Sequence, residues 1–167
     1  MIKIGIVYYS RGGNTEKMAE YVLTGVKEEG GEVQLKKVED TTLEDLLVWD
    51  GIIVGSPTYY GLPAAPVKGL FDRSVKYHGQ LRGKAGGAFS SSENPGGGNE
   101  TTIMSIFKMM LIHGMVLQGS SKGDHYGPVS IGAPDERVKR ECIALGKRVA
   151  RLAKKLRHRG EDLSYHD

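Results

Sequence analysis

A single cysteine, Cys142, is all the thiol chemistry these 167 residues carry, so neither an intrachain disulfide nor a cysteine-built zinc site can organise the chain. No apolar run reaches the ~18 residues that cross a bilayer. The chain opens at Met1-Ile2-Lys3 straight into an apolar stretch, without the charged start, long apolar core and cleavage site of a signal peptide, and a cytoplasmic location is expected. Charge of one sign is also scarce. The 23 Lys and Arg against 20 Asp and Glu leave +3, a mild bias gathered between Lys139 and Arg159 that is no nucleic-acid footprint. The phosphate-binding signatures of two common classes are missing as well: there is no lysine-bearing Walker loop and no three-glycine dinucleotide fingerprint.

What is present is a globular balance, 39% hydrophobic and 26% charged, at a length that predicts one domain over residues 1–167. The 24 glycines are about twice the usual ~7% share. Lys3 to Tyr9 is a short, β-branched and aromatic run of the kind buried on both faces of a sheet. From Thr15 the apolar residues Met18, Ala19, Val22 and Val26 recur at three-to-four spacing up to Gly30-Gly31, as in an amphipathic helix. Glu32–Val38 and Trp49–Gly55 read as the next strands, Pro63–Val75 as a helix, Lys84–Ser91 as a fourth strand and Thr101–His113 as an apolar helix. Met115–Gly119 then reads as a fifth strand, with a Gly- and Ser-rich loop before a closing helix from Asp135 to Arg159. Cys142 falls on that helix's apolar stripe with Val138, Leu145 and Val149, as a core thiol would. Alternating strands and helices predict an α/β three-layer sandwich around a five-stranded parallel sheet, with its crevice beyond the carboxyl ends of the strands.

Three segments converge on that crevice. Ser10, Arg11, Gly12, Gly13, Asn14 and Thr15 follow the first strand and lead into a helix, so glycine turns, hydroxyls and free helix N–H groups can cradle a phosphate. Pro57, Thr58, Tyr59, Tyr60 and Gly61 follow the third strand and offer a rigid backbone with flat aromatic faces. Ser90, Ser91, Ser92, Glu93, Asn94, Gly96 and Gly97 follow the fourth and expose backbone polar groups with few Cβ atoms between them and a ligand. Together they describe a pocket for a mononucleotide bearing a large polar ring. None of the segments holds a nucleophilic cysteine.

The motifs SRGGNTEKM, GSPTYYGLP, FSSSENPGGGNETT and HGMV resemble, in order and spacing, the flavodoxin-like WrbA family of NAD(P)H:quinone oxidoreductases, from Met1 to about Gly119. The resemblance implies the flavodoxin-like strand order 2-1-3-4-5 and FMN, with its phosphate on Ser10 to Thr15, its ring by Thr58, Tyr59 and Tyr60, and further contacts from Ser91 to Gly97. It implies hydride transfer from NAD(P)H to the flavin, then two electrons to a quinone. Departures are visible. Ile112 precedes a single His113 where relatives often carry two histidines, the segment from Glu39 to Val48 is shorter than in longer members, and Tyr77 and His78 stand nearest the place of a tryptophan gate.

His113 reads either as a helix-end cap or as a polar contact to flavin or substrate. His125, with Tyr126 beside it, reads either as a surface loop residue or as part of a substrate entrance. No metal site is expected. The apolar helix Thr101–His113 leaves material for a homodimer contact, which is the expected assembly; the tetramer of longer family members is the alternative, and the short Glu39–Val48 segment counts against it. The alternative function is a flavodoxin-type carrier that binds FMN and passes single electrons to protein partners; the mild basic charge is unlike the acidic surface of such carriers. A nucleic-acid or regulatory module built on the basic final helix is a third reading, with the least support.

Overall fold

A run with no charged residue after Lys3 forms the central strand, β1 (Lys3–Tyr8), buried from Ile4 onward. In the computed structural model, which describes residues 1–159, the elements follow as α1 (Asn14–Glu28), β2 (Glu32–Lys37), α2 (Leu43–Val48), β3 (Gly51–Tyr59), β4 (Leu62–Pro63) and α3 (Ala65–Arg73). Then come β5 (Ala85–Ser92), α4 (Asn99–Ile112), β6 (Val116–Leu117), β7 (Val129–Ile131) and α5 (Glu136–Arg159). Residues 160–167, the tail of the expected 1–167 domain, lie outside the described residues.

The main sheet runs β2-β1-β3-β5-β6, all parallel, which is the expected order with strands four and five here numbered β5 and β6. Alternate residues of β1 serve opposite faces. Ile4, Ile6 and Tyr8 join Met18, Val22, Cys142, Leu145 and Val149 under α1 and α5, whereas Val7 joins Trp49, Val67, Leu70, Ile103 and Ile106 under α2, α3 and α4. Helices α1 and α5 touch backbone to backbone: a Cβ on Gly25 would stand 2.0 Å from the Ile143 carbonyl oxygen, and one on Gly146 2.2 Å from that of Val22. Cys142 is fully buried, and burial pushes its thiol far up from its ordinary range.

The helix expected over Pro63–Val75 is Ala65–Arg73, because Pro63 pairs in β4, α4 starts two residues before the expected Thr101, and two strands differ further from the sequence reading. The third strand does not end at Gly55 but runs to Tyr59, because Ser56 and Pro57 still pair with Ser90 and Ser91 of β5. Its end folds into a hairpin with β4, pairing Thr58 with Pro63 and Tyr59 with Leu62. Pro57 is tolerated there because β1 pairs no further than Gly55. The fifth strand is not Met115–Gly119 but two short pieces on one edge of β5: β6 pairs at Ala85–Gly86 and β7 at Ser90–Ser92. Between them Gly127 crosses Ala88 so closely that a Cβ would lie 2.1 Å from its carbonyl oxygen.

Candidate functional site

The turn after β1 is built from its own side chains. Ser10 Oγ accepts from the Gly13 amide at 3.1 Å, and Gly13, at φ +92, turns the chain into α1 as its N-cap without any side-chain cap. The first helical bond inside α1 runs from the Lys17 amide to the Gly13 carbonyl. The amides of Asn14, Thr15 and Glu16 therefore have no acceptor among the described residues. A Cβ on Gly12 or Gly13 would meet nothing within 4 Å, so no protein neighbour demands glycine at position 12. Arg11 is exposed and no carboxylate of the described residues pairs with it. Beneath the turn, Tyr8 donates to Glu16 Oε1 at 2.5 Å, and burial together with that carboxylate raises its hydroxyl pKa far above the ordinary value. Thr15 is 2% exposed and shares a hydrogen bond of 2.9 Å with Ser91, joining α1 to the end of β5.

This turn opens into a hollow of about 380 Å³, lined by Ser10, Arg11, Gly12, Asn14 and Thr15, by Pro57, Thr58 and Tyr59, and by Ser91, Ser92, Glu93 and Gly132. Its size is that of a small-ligand site. Three segments far apart in sequence thus meet at the carboxyl ends of β1, β3 and β5. Glu93 is exposed and has no cationic partner among the described residues. Tyr59 packs edge-on against Tyr9, ring centroids 6.2 Å apart. Tyr60 and Gly61 form the two-residue turn of the β3–β4 hairpin, both at positive φ, +51 and +76, a pair of values that asparagine and glycine usually supply. Tyr60 is wholly exposed, so no internal packing offsets its backbone strain, a pattern that accompanies functional loops.

The remaining expected residues fall elsewhere. Ser90 is buried beneath the hollow and bonded to Thr58 at 2.9 Å. Gly13 and Gly61 shape turns at its rim. Gly96 and Gly97 line a second hollow of about 340 Å³ with Gly98, Asn99, Glu100, Thr101, Val129 and Ile131. Asn94 lines neither; its carbonyl accepts from Ser92 Oγ and the Gly97 amide.

His113 does not join the crevice. It caps the carboxyl end of α4, beside the amino end of β5, where Val116 bonds to Lys84; the seven steps from Ala85 to Ser92 put about 23 Å of strand between it and the hollow. Its Nε2 lies 2.7 Å from Ser74 Oγ, which donates to the Phe71 carbonyl at 2.6 Å. Ser74 has one proton, so the histidine donates from Nε2, and Nδ1 is left buried without a partner. Burial, then nearby His78, lowers its pKa. His78 stands 6.0 Å from His113, ring to ring, and Tyr77 donates to Glu44 at 2.7 Å, so neither lines the hollow. His125 closes its own loop through Ser120, Nδ1 to carbonyl oxygen 2.9 Å, with Tyr126 exposed next to it.

Gly132 is the lining residue that the sequence reading missed. Its amide donates to the Ser92 carbonyl at 2.8 Å, and the only local sign of it is the three-residue apolar pattern of β7. Among the described residues no three His, Cys, Asp or Glu side chains gather as a metal site, and no helix is long and apolar enough to cross a membrane.

Comparison with known proteins agrees with this architecture. The Flavodoxin family profile matches residues 6–103. A flavodoxin of Aquifex aeolicus is 43% identical, aligned over 90% of this chain and 86% of its own. An NAD(P)H dehydrogenase (quinone) of Archaeoglobus fulgidus is 33% identical over 93% of this chain and all of its own. Among solved structures, the flavodoxin, WrbA-like protein from Agrobacterium tumefaciens superposes with a TM-score of 0.79 at 27% identity, covering 93% of this chain and 99% of that one.

Proposed function

The chain belongs to the flavodoxin family, and from that premise we propose that it is an FMN-dependent NAD(P)H:quinone oxidoreductase. The observation that carries the reading is the uncapped start of α1, which opens, with an Arg11 that has no carboxylate partner among the described residues, into the same hollow as Thr58, Tyr59 and Ser91–Glu93. Three free amides, two hydroxyls and a guanidinium are a donor set for a phosphate dianion. The aromatic and backbone-rich remainder suits a flat polar ring, so the residues present fit FMN. When bound, that group supplies the redox chemistry, taking two electrons from a nicotinamide and yielding them to a quinone.

The protein's part is to bind and orient. Ser10, Arg11, Asn14 and Thr15 hold the phosphate end. Thr58 and Tyr59 border the ring, and Ser91 to Glu93 with Gly132 form the opposite wall. Tyr60 extends its ring into solvent beside the mouth, where a nicotinamide or quinone can lie against it. None of these groups needs to act as a nucleophile. Met104, Leu111 and Ile112 leave an apolar outer face on α4, which supports a homodimer through that helix.

A second reading, a one-electron carrier, is favoured by the higher identity to the Aquifex flavodoxin. One anaerobic experiment separates the two. The FMN-loaded protein is mixed with NADH or NADPH, and the yellow flavin band is followed before and after benzoquinone is added. Rapid bleaching that quinone reverses is the expected result. A band that nicotinamides leave intact while a one-electron donor bleaches it supports the carrier, and absence of FMN binding overturns both.

A further inference from the structure

Behind the hollow a set of hydrogen bonds links its two walls, from Thr58 on one to Gly132 on the other, and the proton directions follow by elimination. The Ser130 carbonyl can only accept, so Asn99 Nδ2 faces it, at 3.2 Å. Asn99 Oδ1 then faces Thr58, whose hydroxyl donates to it at 3.1 Å. A threonine hydroxyl has a single proton. With that proton engaged, Thr58 must accept from Ser90 Oγ across their 2.9 Å contact. The chain continues through Ser130 Oγ, which donates to the Gly132 carbonyl at 2.9 Å. Thr58 and Gly132 line the hollow; Asn99, the first residue of α4, ties them together from behind.

The geometry points to Asn99 as a positioning residue that holds Thr58 as a pure acceptor toward the hollow, so that this wall favours a ring N–H over a bare ring nitrogen or carbonyl. The inference rests on the FMN reading above. Two-electron reduction of a flavin, by the nicotinamide or in a test by dithionite, adds two electrons and at least one proton and converts bare ring nitrogen to N–H. With Thr58 opposite a ring nitrogen that gains its proton on reduction, an acceptor-only hydroxyl favours the reduced ring. With leucine at position 99 the Thr58 proton is released, can turn into the hollow, and meets the oxidised ring equally well.

The test measures FMN affinity in oxidised and dithionite-reduced forms, with the midpoint potential, for the unaltered protein, Asn99→Leu, Thr58→Val and the double variant. In Asn99→Leu, affinity for reduced FMN should fall about tenfold relative to oxidised FMN, the size of one hydrogen bond. For a two-electron couple that ratio is a fall of ~30 mV in potential. Thr58→Val should move the potential in the same direction, and the double variant should add nothing to it. Equal weakening of both forms, or additive effects in the double variant, overturns the assignment. Should Asn99→Leu fail to fold, an unmoved potential in Thr58→Val does the same. If the unaltered chain binds no FMN, the functional reading falls and this inference with it; if FMN binds and neither substitution moves the potential, only this inference falls.

Discussion

The two ends of the sheet treat their polar groups in opposite ways. At the amino end they are largely used internally, His113 Nδ1 excepted: Lys84 Nζ reaches the carbonyls of Leu47 and Trp49, Trp49 Nε1 donates to Gln34 at 3.1 Å, Asp50 accepts from the Lys3 amide at 2.7 Å, and His113 Nε2 donates to Ser74. At the carboxyl end α1 and α4 both begin at a left-handed glycine without a side-chain cap, and among the described residues Arg11 and Glu93 have no partner of opposite charge. Buried polar groups are ordinarily satisfied within a protein. An end that leaves donors open toward a hollow is arranged for a ligand, whereas the other is arranged for stability.

That contrast breaks if substitutions at the two ends act alike. The largest separation is expected from Gly13→Val, which forces a β-branched residue to φ +92; strain of about 1–3 kcal/mol, added to a displaced cradle, should abolish measurable FMN affinity in a fluorescence-quenching titration. Retained affinity would remove the turn from the site. At the opposite end Lys84→Met leaves two carbonyls without their donor and should cost about 2–3 kcal/mol in denaturant unfolding, with the FMN dissociation constant unchanged in the folded protein. Thr15→Val stands between the two roles, because the residue lines the hollow and its hydroxyl bonds Ser91. It should weaken FMN binding severalfold and stability by only about 1 kcal/mol; unchanged binding would make Thr15 purely a strut.

The smallest effect is a pH dependence. His113 has a lowered pKa in the folded state, so as pH falls below its unfolded value of about 6.5, the unfolded chain takes up a proton before the folded one does. Stability is complete above that pH and declines below it. His113→Gln should flatten this decline in melting curves recorded between neutral and mildly acidic pH, without altering FMN affinity. A change in affinity instead would put His113 back into contact with the site.

Much of this organisation was legible in the residues. The change from the apolar run at Lys3–Tyr9 to the helical spacing from Thr15 located both the central strand and the helix start that opens the cradle. Two signals were weaker. Tyr59 looked like loop because proline and glycine surround it, yet pairing with β5 and the return of Leu62–Pro63 extend the strand. His113 was drawn toward the site by its motif, although a crossover helix delivers its last residue to the amino end of the next strand. The motif carries residue type, and the topology carries position.

Local periodicity and the places of glycine and hydroxyl residues suffice to read the alternating strands and helices, the buried stripe containing Cys142 and the three segments that follow β1, β3 and β5. It takes the folded chain to bring Gly132 into the wall, to tie Thr58 to Ser130 through Asn99, and to divide the edge of β5 between two short strands. Those outcomes depend on pairings of two or three residues between distant parts of the chain, too short to leave a periodic trace and stabilised only once β5 is in place to receive them.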